Sequence, residues 1–475
     1  MRSQHAVRRA LAIALSLLLC GAAQAGDPPA VVGRVSWLAG GVTLQGPAGA
    51  RDTAQLNLPV TSGELLATDG GGRAEVWAGP SALRLDVAST LRVVALDDAQ
   101  RQFALDDGAL ALRVDDDGDA RHSVVDTSVG RFAPQQSGAW RIDVRRDGGV
   151  DATALRGGLR FEGNGGTTVT VLGGQRVHLA PEGATVHVTF DDATHDDFAA
   201  FVDARDRAYD GVQSARHVSP QMTGIESLDH AGHWESAPEW GWVWVPLVAS
   251  DWAPYRFGRW DWIEPWGWTW VDDAPWGFAP FHYGRWALWG ERWAWVPGEY
   301  VARPVYAPAL VGWVGGVAPP VGVAVGARIG WFPLAPHEAY VPRYTVSASY
   351  LRGLNGPHAA FASVAVAAAP VHYVFQDNLR ATTIVHADVL AERRAVAPRR
   401  EAPPLLAREP LPRPLAVQRA PFEPRRLGPA PAFAPPAAIR EREIERTQEH
   451  EAMRAREHER EHEHERERGP GAHER

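Results

Sequence analysis

Residues 232–296 hold fifteen of the chain's twenty tryptophans, and they recur in phase. Gly232-His233-Trp234 returns 26 residues later as Gly258-Arg259-Trp260 and again as Gly284-Arg285-Trp286. Trp242-x-Trp244-Val245 returns after 26 residues as Trp268-x-Trp270-Val271 and after a further 25 as Trp293-x-Trp295-Val296. A second phrase, Trp252-Ala-Pro-Tyr-Arg-Phe-Gly-Arg-Trp260, repeats as Phe278-Ala-Pro-Phe-His-Tyr-Gly-Arg-Trp286. A repeat this short cannot bury an apolar face by itself, so each unit needs its neighbours.

The tryptophans alternate within a unit (240, 242 and 244; 266, 268 and 270). A period of two places them on one side of a β-strand, where large aromatics pack well. Glu239-Trp-Gly and Pro265-Trp-Gly supply turns, so each unit reads as a β-hairpin. Three hairpins predict a small meander whose indoles pair across strands, each pair adding roughly 0.2–1 kcal/mol. Prolines 246, 254, 275, 280 and 297 fall between strands, where a missing N–H costs nothing.

Core filling is the ordinary role of a single large aromatic. Fifteen indoles exceed what a small meander is expected to hide, which predicts an exposed aromatic patch suited to stacking on sugar rings. The phase-locked Trp242, Trp244, Trp268, Trp270, Trp293 and Trp295 are then structural. The unit-specific Trp252, Trp262, Trp276 and Trp289 are the candidate ligand contacts. His282 and Tyr283 could hydrogen-bond a ligand, although they occupy the slot of Arg256-Phe257, which favours a structural role.

The chain has 475 residues, a formal charge of −9, one cysteine and no lysine. That length suits two or three domains. Net acidity argues against nucleic acid as a partner, because that binding rests on neutralising phosphates. Arg2, Arg8 and Arg9 precede an apolar run from Ala10 to Leu19 and then Ala23-Gln-Ala25, the pattern of a secretory signal peptide cleaved after Ala25. Cys20 lies inside it, so the mature chain is expected to carry no thiol, disulfide or cysteine metal site. The uncharged stretch 304–327 is too rich in proline and glycine for a spanning helix and reads as buried strands and turns. No transmembrane segment is expected after cleavage, and the product is placed in the periplasm or outside the cell.

Residues 30–190 carry short alternating runs at 31–37, 74–77, 83–85, 91–94, 103–105, 110–112 and 140–144. Asp69-Gly70, Asp107-Gly108, Asp117-Gly118 and Asp147-Gly148 are read as the turns between runs, giving an all-β sandwich, barrel or short solenoid. The order of Asn57-Leu-Pro-Val60, Gly63-Glu-Leu65, Arg73-Ala-Glu-Val76, Leu105-Asp-Asp-Gly-Ala-Leu110, Val125-Asp-Thr127, Gly138-Ala-Trp-Arg-Ile-Asp-Val144, Leu155-Arg-Gly-Gly158 and Leu172-Gly-Gly-Gln175 resembles the FecR domain. In that family's best-known members the domain is the periplasmic part of a membrane-spanning regulator of a sigma factor. Those regulators carry a cytoplasmic segment and a membrane helix ahead of the domain, where this chain has a cleavable leader.

Phe198, Phe201, Val202, Ala208 and Tyr209 form the apolar stripe of an amphipathic helix, a connector packed on a β domain. After the repeats, Arg303-Pro-Val-Tyr-Ala-Pro-Ala-Leu-Val311 and Gly330-Trp-Phe-Pro-Leu-Ala-Pro-His-Glu-Ala-Tyr-Val-Pro342 complete a pattern over about residues 190–390. It is similar to a bacterial family that joins a FecR-like domain to a Trp-rich domain of unknown function. Residues 398–436 include twelve prolines, and residues 440–475 hold twelve Glu, nine Arg and five His with no apolar stripe. Both read as disordered tail.

Three constellations invite chemistry. His458-Glu-Arg-Glu-His462 has the HExxH spacing of a zinc protease, but it sits in a low-complexity run with no third ligand or cleft. Asp115-Asp-Asp-Gly-Asp119 lacks the alternation and closing Glu of a calcium loop, and a hairpin turn accounts for it. Asp251, Asp261, Glu264, Asp272, Asp273 and Glu291 could flank a glycan, yet all fall at turns or strand edges.

The reading is a mainly β protein: leader 1–25, FecR-like β domain 30–190, helical connector 191–228, Trp-rich hairpin domain 229–390 and low-complexity tail 391–475. It is expected to be non-enzymatic, with no cofactor, catalytic residue or metal site, and to bind an envelope glycan (peptidoglycan or polysaccharide) or an envelope protein. The alternative is a periplasmic accessory regulator related to FecR-type signalling.

Overall fold

The computed structural model describes residues 26–47, 49, 51–193, 195–315, 328–356, 372–396 and 417–418. The leader, Cys20, the HExxH run and most of the proline and Glu/Arg/His tail lie outside the described residues. The described residues all belong to one compact unit. The fold is mainly β, as the alternation of the sequence requires. Among the described residues no helix is long and apolar enough to cross a membrane.

Residues 33–192 contribute seventeen connected strands that pack as two sheets face to face. One sheet runs through Gly33–Ala39, Arg73–Ala78, Ser81–Leu85, Gly138–Val144, Val150–Arg156, Gln175–Glu182 and Thr185–Asp192. The other runs through Val42–Gln45, Leu65–Thr68, Thr90–Leu96, Ser123–Thr127, Gly130–Pro134, Leu159–Gly163 and Thr168–Val171. The 14-residue strand Arg101–Val114 belongs to both. Its first part pairs with Thr90–Leu96 and Ser123–Thr127, and its second with Ser81–Leu85 and Gly138–Val144.

This corrects the turn expected at Asp107-Gly108. Gly108 has φ +78°, and a Cβ there would lie 2.2 Å from Ser89 Oγ, so the glycine permits a bend within a continuous strand. Asp117-Gly118 also differs from the expected hairpin turn. Asp117–Arg121 is one helical turn, capped by Asp116, whose side chain accepts from Asp119 N.

Alternation sorts the strand residues into two sets. Val35, Val76, Leu83, Leu110, Val125, Phe132 and Val177 point between the sheets and form their core. Arg34, Ser36, Glu75, Trp77 and Arg84 point the other way, and they too are buried. The helix Asp197–Tyr209 lies against this second face: Phe198 and Val202 pack on Ala109 and Ala111, Phe201 on Trp37, and Tyr209 edge-on to Trp77 at 5.3 Å. Glu75 lies under it, bonded by Arg84 (2.8 Å) and Arg205 (2.8 Å). Burial raises the Glu75 carboxyl's pKa, but the two guanidiniums outweigh it and hold the group below its ordinary value.

The repeats form the hairpins Gly232–Ala237/Gly241–Pro246, Gly258–Ile263/Gly267–Asp272 and Arg285–Trp289/Arg292–Val296. They do not make one meander. The first and third join into a four-stranded sheet through the pair Trp244↔Trp295, and the second stands apart as two strands. Its Trp260 packs instead on Trp313 (4.5 Å) and Trp331 (5.3 Å), the opposed pair of a fourth hairpin, Val311–Gly315/Arg328–Pro333. Part of the stretch read as buried strands is therefore Val311–Gly315; residues 316–327 lie outside the described residues.

The repeated glycine has a physical cause. In each hairpin the indole of the opposite strand lies over it: a Cβ would meet Trp244 Cε2 at 2.5 Å from Gly232, Trp270 Cζ2 at 2.7 Å from Gly258 and Trp295 Nε1 at 2.6 Å from Gly284. The fourth hairpin keeps the rule with Phe332 over Gly312.

The sandwich and the Trp-rich region are fastened by buried polar groups. Arg34 Nε donates to Asn57 Oδ1 (3.0 Å), Arg34 Nη1 to Glu226 Oε1 (2.6 Å), and Arg34 Nη2 to the Pro275 carbonyl. Asn57 Nδ2 donates to the Asp272 and Ala274 carbonyls at 2.8 and 2.7 Å. Thr223 Oγ1 donates to Val32 O (3.0 Å) and accepts from Gly79 N (2.8 Å).

Candidate functional site

Of the fifteen tryptophans in the repeats, nine are buried, five are half-buried and Trp242 alone is exposed. Among the described residues these indoles form no broad exposed aromatic patch of the kind the sequence predicts. The fourth hairpin, Phe375, Leu390 and Val32 add further walls to the same core and enclose most of the indoles.

The candidate ligand contacts fare unevenly. Trp276 is buried against Trp244 (4.9 Å), Trp252 (5.7 Å) and Phe281 (5.9 Å), so it is core. Trp252 is half-covered by Trp276 and Trp286. Trp262 meets Trp268 edge-on at 5.5 Å and donates to Glu264 Oε1 at 2.9 Å. Trp289 flanks a small apolar cluster under the Arg292 guanidinium. None of these four lines the cavity described next.

A cavity of about 570 Å³ opens between the first hairpin turn, residues 297–305, the turn at 336–338 and the end of the helix Ala348–Asn355. Its lip carries Trp242, 50 % exposed, and Tyr300, 67 % exposed, with Trp240 and His217 beside them. His217 stacks on Trp234 at 4.6 Å and 25° and leans on Trp242 at 4.4 Å and 50°. Burial and the neighbouring Arg216 push its pKa down, which favours the neutral ring. The exposed indole is thus braced from behind by an uncharged aromatic stack.

His282 and Tyr283 do reach this cavity, as parts of its inner wall rather than of a surface. His282 is fully enclosed, its Nδ1 bonds the Ala307 carbonyl at 2.8 Å, and burial pushes its pKa down to about 3. Burial also raises the Tyr283 phenol. Arg285 lies on the same wall. Its Nε donates to Glu338 O (2.9 Å), Nη1 to Gly284 O (2.8 Å) and Nη2 to Asn355 Oδ1 (2.9 Å). Glu338 is raised by burial, and its oxygens accept from Ala335 N (2.7 Å) and Val374 N (2.6 Å), which ties the carboxylate to holding two loops.

Trp242 was assigned to the core by its place in a phase-locked pair, and the structure corrects that. The other five such indoles are buried. The signal lies in the cross-strand partner: Trp262 faces Trp268 and Leu288 faces Trp293, but Ser236 faces Trp242. A small polar partner gives an indole nothing to pack on. Tyr300, His217 and Arg285 were missed altogether, because no repeat marks Tyr300 and His217 and because Arg285 sits inside the repeat's own motif.

A family model described as a family of unknown function, DUF6600, matches residues 225–338. The match spans all four hairpins and the cavity lining from Glu239 to Glu338; it leaves out His217 before it and the helix Ala348–Asn355 after it. No curated protein is significantly similar to the chain. Two crystal structures of a candidate anti-sigma factor from Parabacteroides distasonis ATCC 8503, at 2.50 and 1.65 Å, align at 11 % and 10 % identity, each with a TM-score of 0.25. Each alignment covers 29 % of this chain and 63 % or 64 % of that one, so the chain spans less than two thirds of that protein's length.

Proposed function

We propose that this chain is an exported, non-catalytic protein of the bacterial cell envelope that binds glycan in the Trp242–Tyr300 cavity. The observation that carries this reading is the braced indole at the cavity lip: an exposed Trp242 fixed by His217 and Trp234, with Tyr300 also on the lip. An indole face is apolar and its N–H is a donor, which suits a sugar ring with one apolar face and a hydroxylated rim. A platform held in place before binding costs less to order. The commitment of Glu338 to backbone N–H groups supports binding without hydrolysis. Export rests on the leader pattern, and the FecR-like order of motifs in residues 30–190 supports an envelope setting. The alternative, a periplasmic accessory regulator, draws on that same resemblance and on the Arg34–Glu226 fastening, through which a ligand in one region could act on the other.

The test is co-sedimentation of the purified mature chain with peptidoglycan sacculi. Wild type should be retained, and the double variant Trp242→Ala/Tyr300→Ala should lose retention at unchanged Tm. Equal retention of both proteins would overturn the assignment of the site.

A further inference from the structure

The three repeat units differ at one position that bears on what the cavity holds. Each opens with glycine, then a basic residue, then tryptophan. In the first unit His233 meets Glu235, two residues on, at 2.6 Å. In the second, Arg259 meets Asp261, also two residues on, at 3.8 Å. Residues two apart on a strand share a face, so the acid at this position neutralises the base beside it. In the third unit that position is Ala287, and among the described residues Arg285 hydrogen-bonds neutral acceptors: two carbonyls and an amide oxygen.

Arg285 is 9 % exposed and lines the cavity. Burial pulls its pKa down to about 10, so it remains a cation at neutral pH. The Glu338 carboxylate acts on this cation only through space, and a buried charge that no carboxylate bonds directly is costly unless something occupies its field. Its three hydrogen bonds leave two of the five guanidinium N–H groups for a ligand. The acids of the cavity are disposed differently. Glu239 and Glu299 are exposed at the lip, where solvent and salt screen them, and the Glu338 carboxylate is tied to Ala335 and Val374. A polyanion would meet those lip acids, whereas one carboxylate on a neutral sugar could pass them and reach the wall.

Building on the glycan-binding reading, we infer that the cavity selects a glycan bearing an isolated carboxylate, which the Arg285 guanidinium receives while Trp242 and Tyr300 hold the sugar rings. The lactyl group of a muramyl sugar has this chemistry; a polyuronide carries its carboxylates on every ring.

The test is calorimetric titration of the full mature chain with four probes: the GlcNAc–MurNAc disaccharide, its lactyl methyl ester, chitobiose and digalacturonate. The free acid should bind roughly tenfold or more tightly than its ester and chitobiose, as a charge-assisted bond lost from a buried site requires. Digalacturonate should bind more weakly than the muramyl acid. Arg285→Gln should abolish the preference for acid over ester while still binding chitobiose; the ester comparison in wild type decides the matter if that variant does not fold. Equal affinity for acid and ester would overturn the carboxylate inference and leave glycan binding intact. Tighter binding of digalacturonate would overturn selection of an isolated carboxylate. Failure of all four to bind would sink the glycan reading and this inference with it.

Discussion

Leu83, Leu110 and Val177 stand to the sandwich as Trp260, Trp270 and Trp331 stand to the second region, but the two interiors are built on different scales. In the sandwich, strands of up to fourteen residues hydrogen-bond continuously, and the aliphatic side chains only have to fill the gap between two sheets. In the Trp-rich region the repeat strands are five or six residues long, and the first and third hairpins share one bridging pair. Among the described residues the second hairpin shares no strand pairing with its neighbours; Trp260 packs on Trp313 and Trp331, and just ahead of the hairpin Tyr255 meets Phe281 edge-on at 4.9 Å and 87°. Short strands expose little ladder, so large rigid rings do the work of continuity. Cohesion in the sandwich is spread over many small contacts; in the repeats it is concentrated in few large ones.

The comparison breaks first where the concentrated contacts are removed. Trp260→Ala should destabilise by roughly 3–5 kcal/mol, against about 2–4 kcal/mol for Leu83→Ala, in urea denaturation. A smaller loss at Trp260 than at Leu83 would show that the indole core is redundant. Arg34→Ala removes the ion that enters both regions and leaves Glu226 buried without its partner, a loss of about 3–5 kcal/mol. Wild type should melt in one calorimetric transition and this variant should melt lower; a wild type with two separate transitions would mean that the regions are not fastened.

Titration probes each region through one buried group, an acid in the sandwich and a histidine in the Trp-rich region. Burial raises Glu64 in the sandwich to about 7, against an ordinary 4.5. Between those values the folded chain keeps a proton that the unfolded chain has released, so this contribution is full below about 4.5 and is lost as pH rises towards 7. Glu64→Gln should therefore gain roughly 2–3 kcal/mol over wild type at pH 8 and much less at pH 4.5. His282 runs the other way. Its neutral form is buried, so stability is present above about 6.5 and declines as pH falls towards 3. Equal gains from Glu64→Gln at both pH values would contradict the burial of a protonated Glu64.

Much of the architecture was legible because alternation is a local signal. Every alternating run in residues 30–190 lies within or overlaps a strand, and the three repeat hairpins fall where the phase puts them. The bend at Gly108 was not legible, since an Asp-Gly pair looks the same whether it ends a strand or bends it between two sheets. The fourth hairpin was obscured because twelve residues, 316–327, separate Gly315 from Arg328, far more than the short turns of the repeats. Its Trp331-Phe-Pro does echo Trp244-Val-Pro and Trp295-Val-Pro. The site was the least legible part. Its residues come from the first hairpin, the 297–305 segment, the turn at 336–338 and a helix end, and no spacing links them. The unit-specific rule chose Trp276, which the fold buries, and passed over Trp242, which it exposes.

Trp242→Ala should have the smallest effect on stability, within about 0.5 kcal/mol, because an exposed side chain leaves no cavity behind. Its emission gives the most direct test that the exposed indole of the repeats marks the ligand site. Iodide quenching should reveal an accessible tryptophan component in wild type that is lost in Trp242→Phe, and peptidoglycan fragments should shield that component. An accessible component that survives Trp242→Phe, or that stays open to iodide at saturating glycan, would contradict the account.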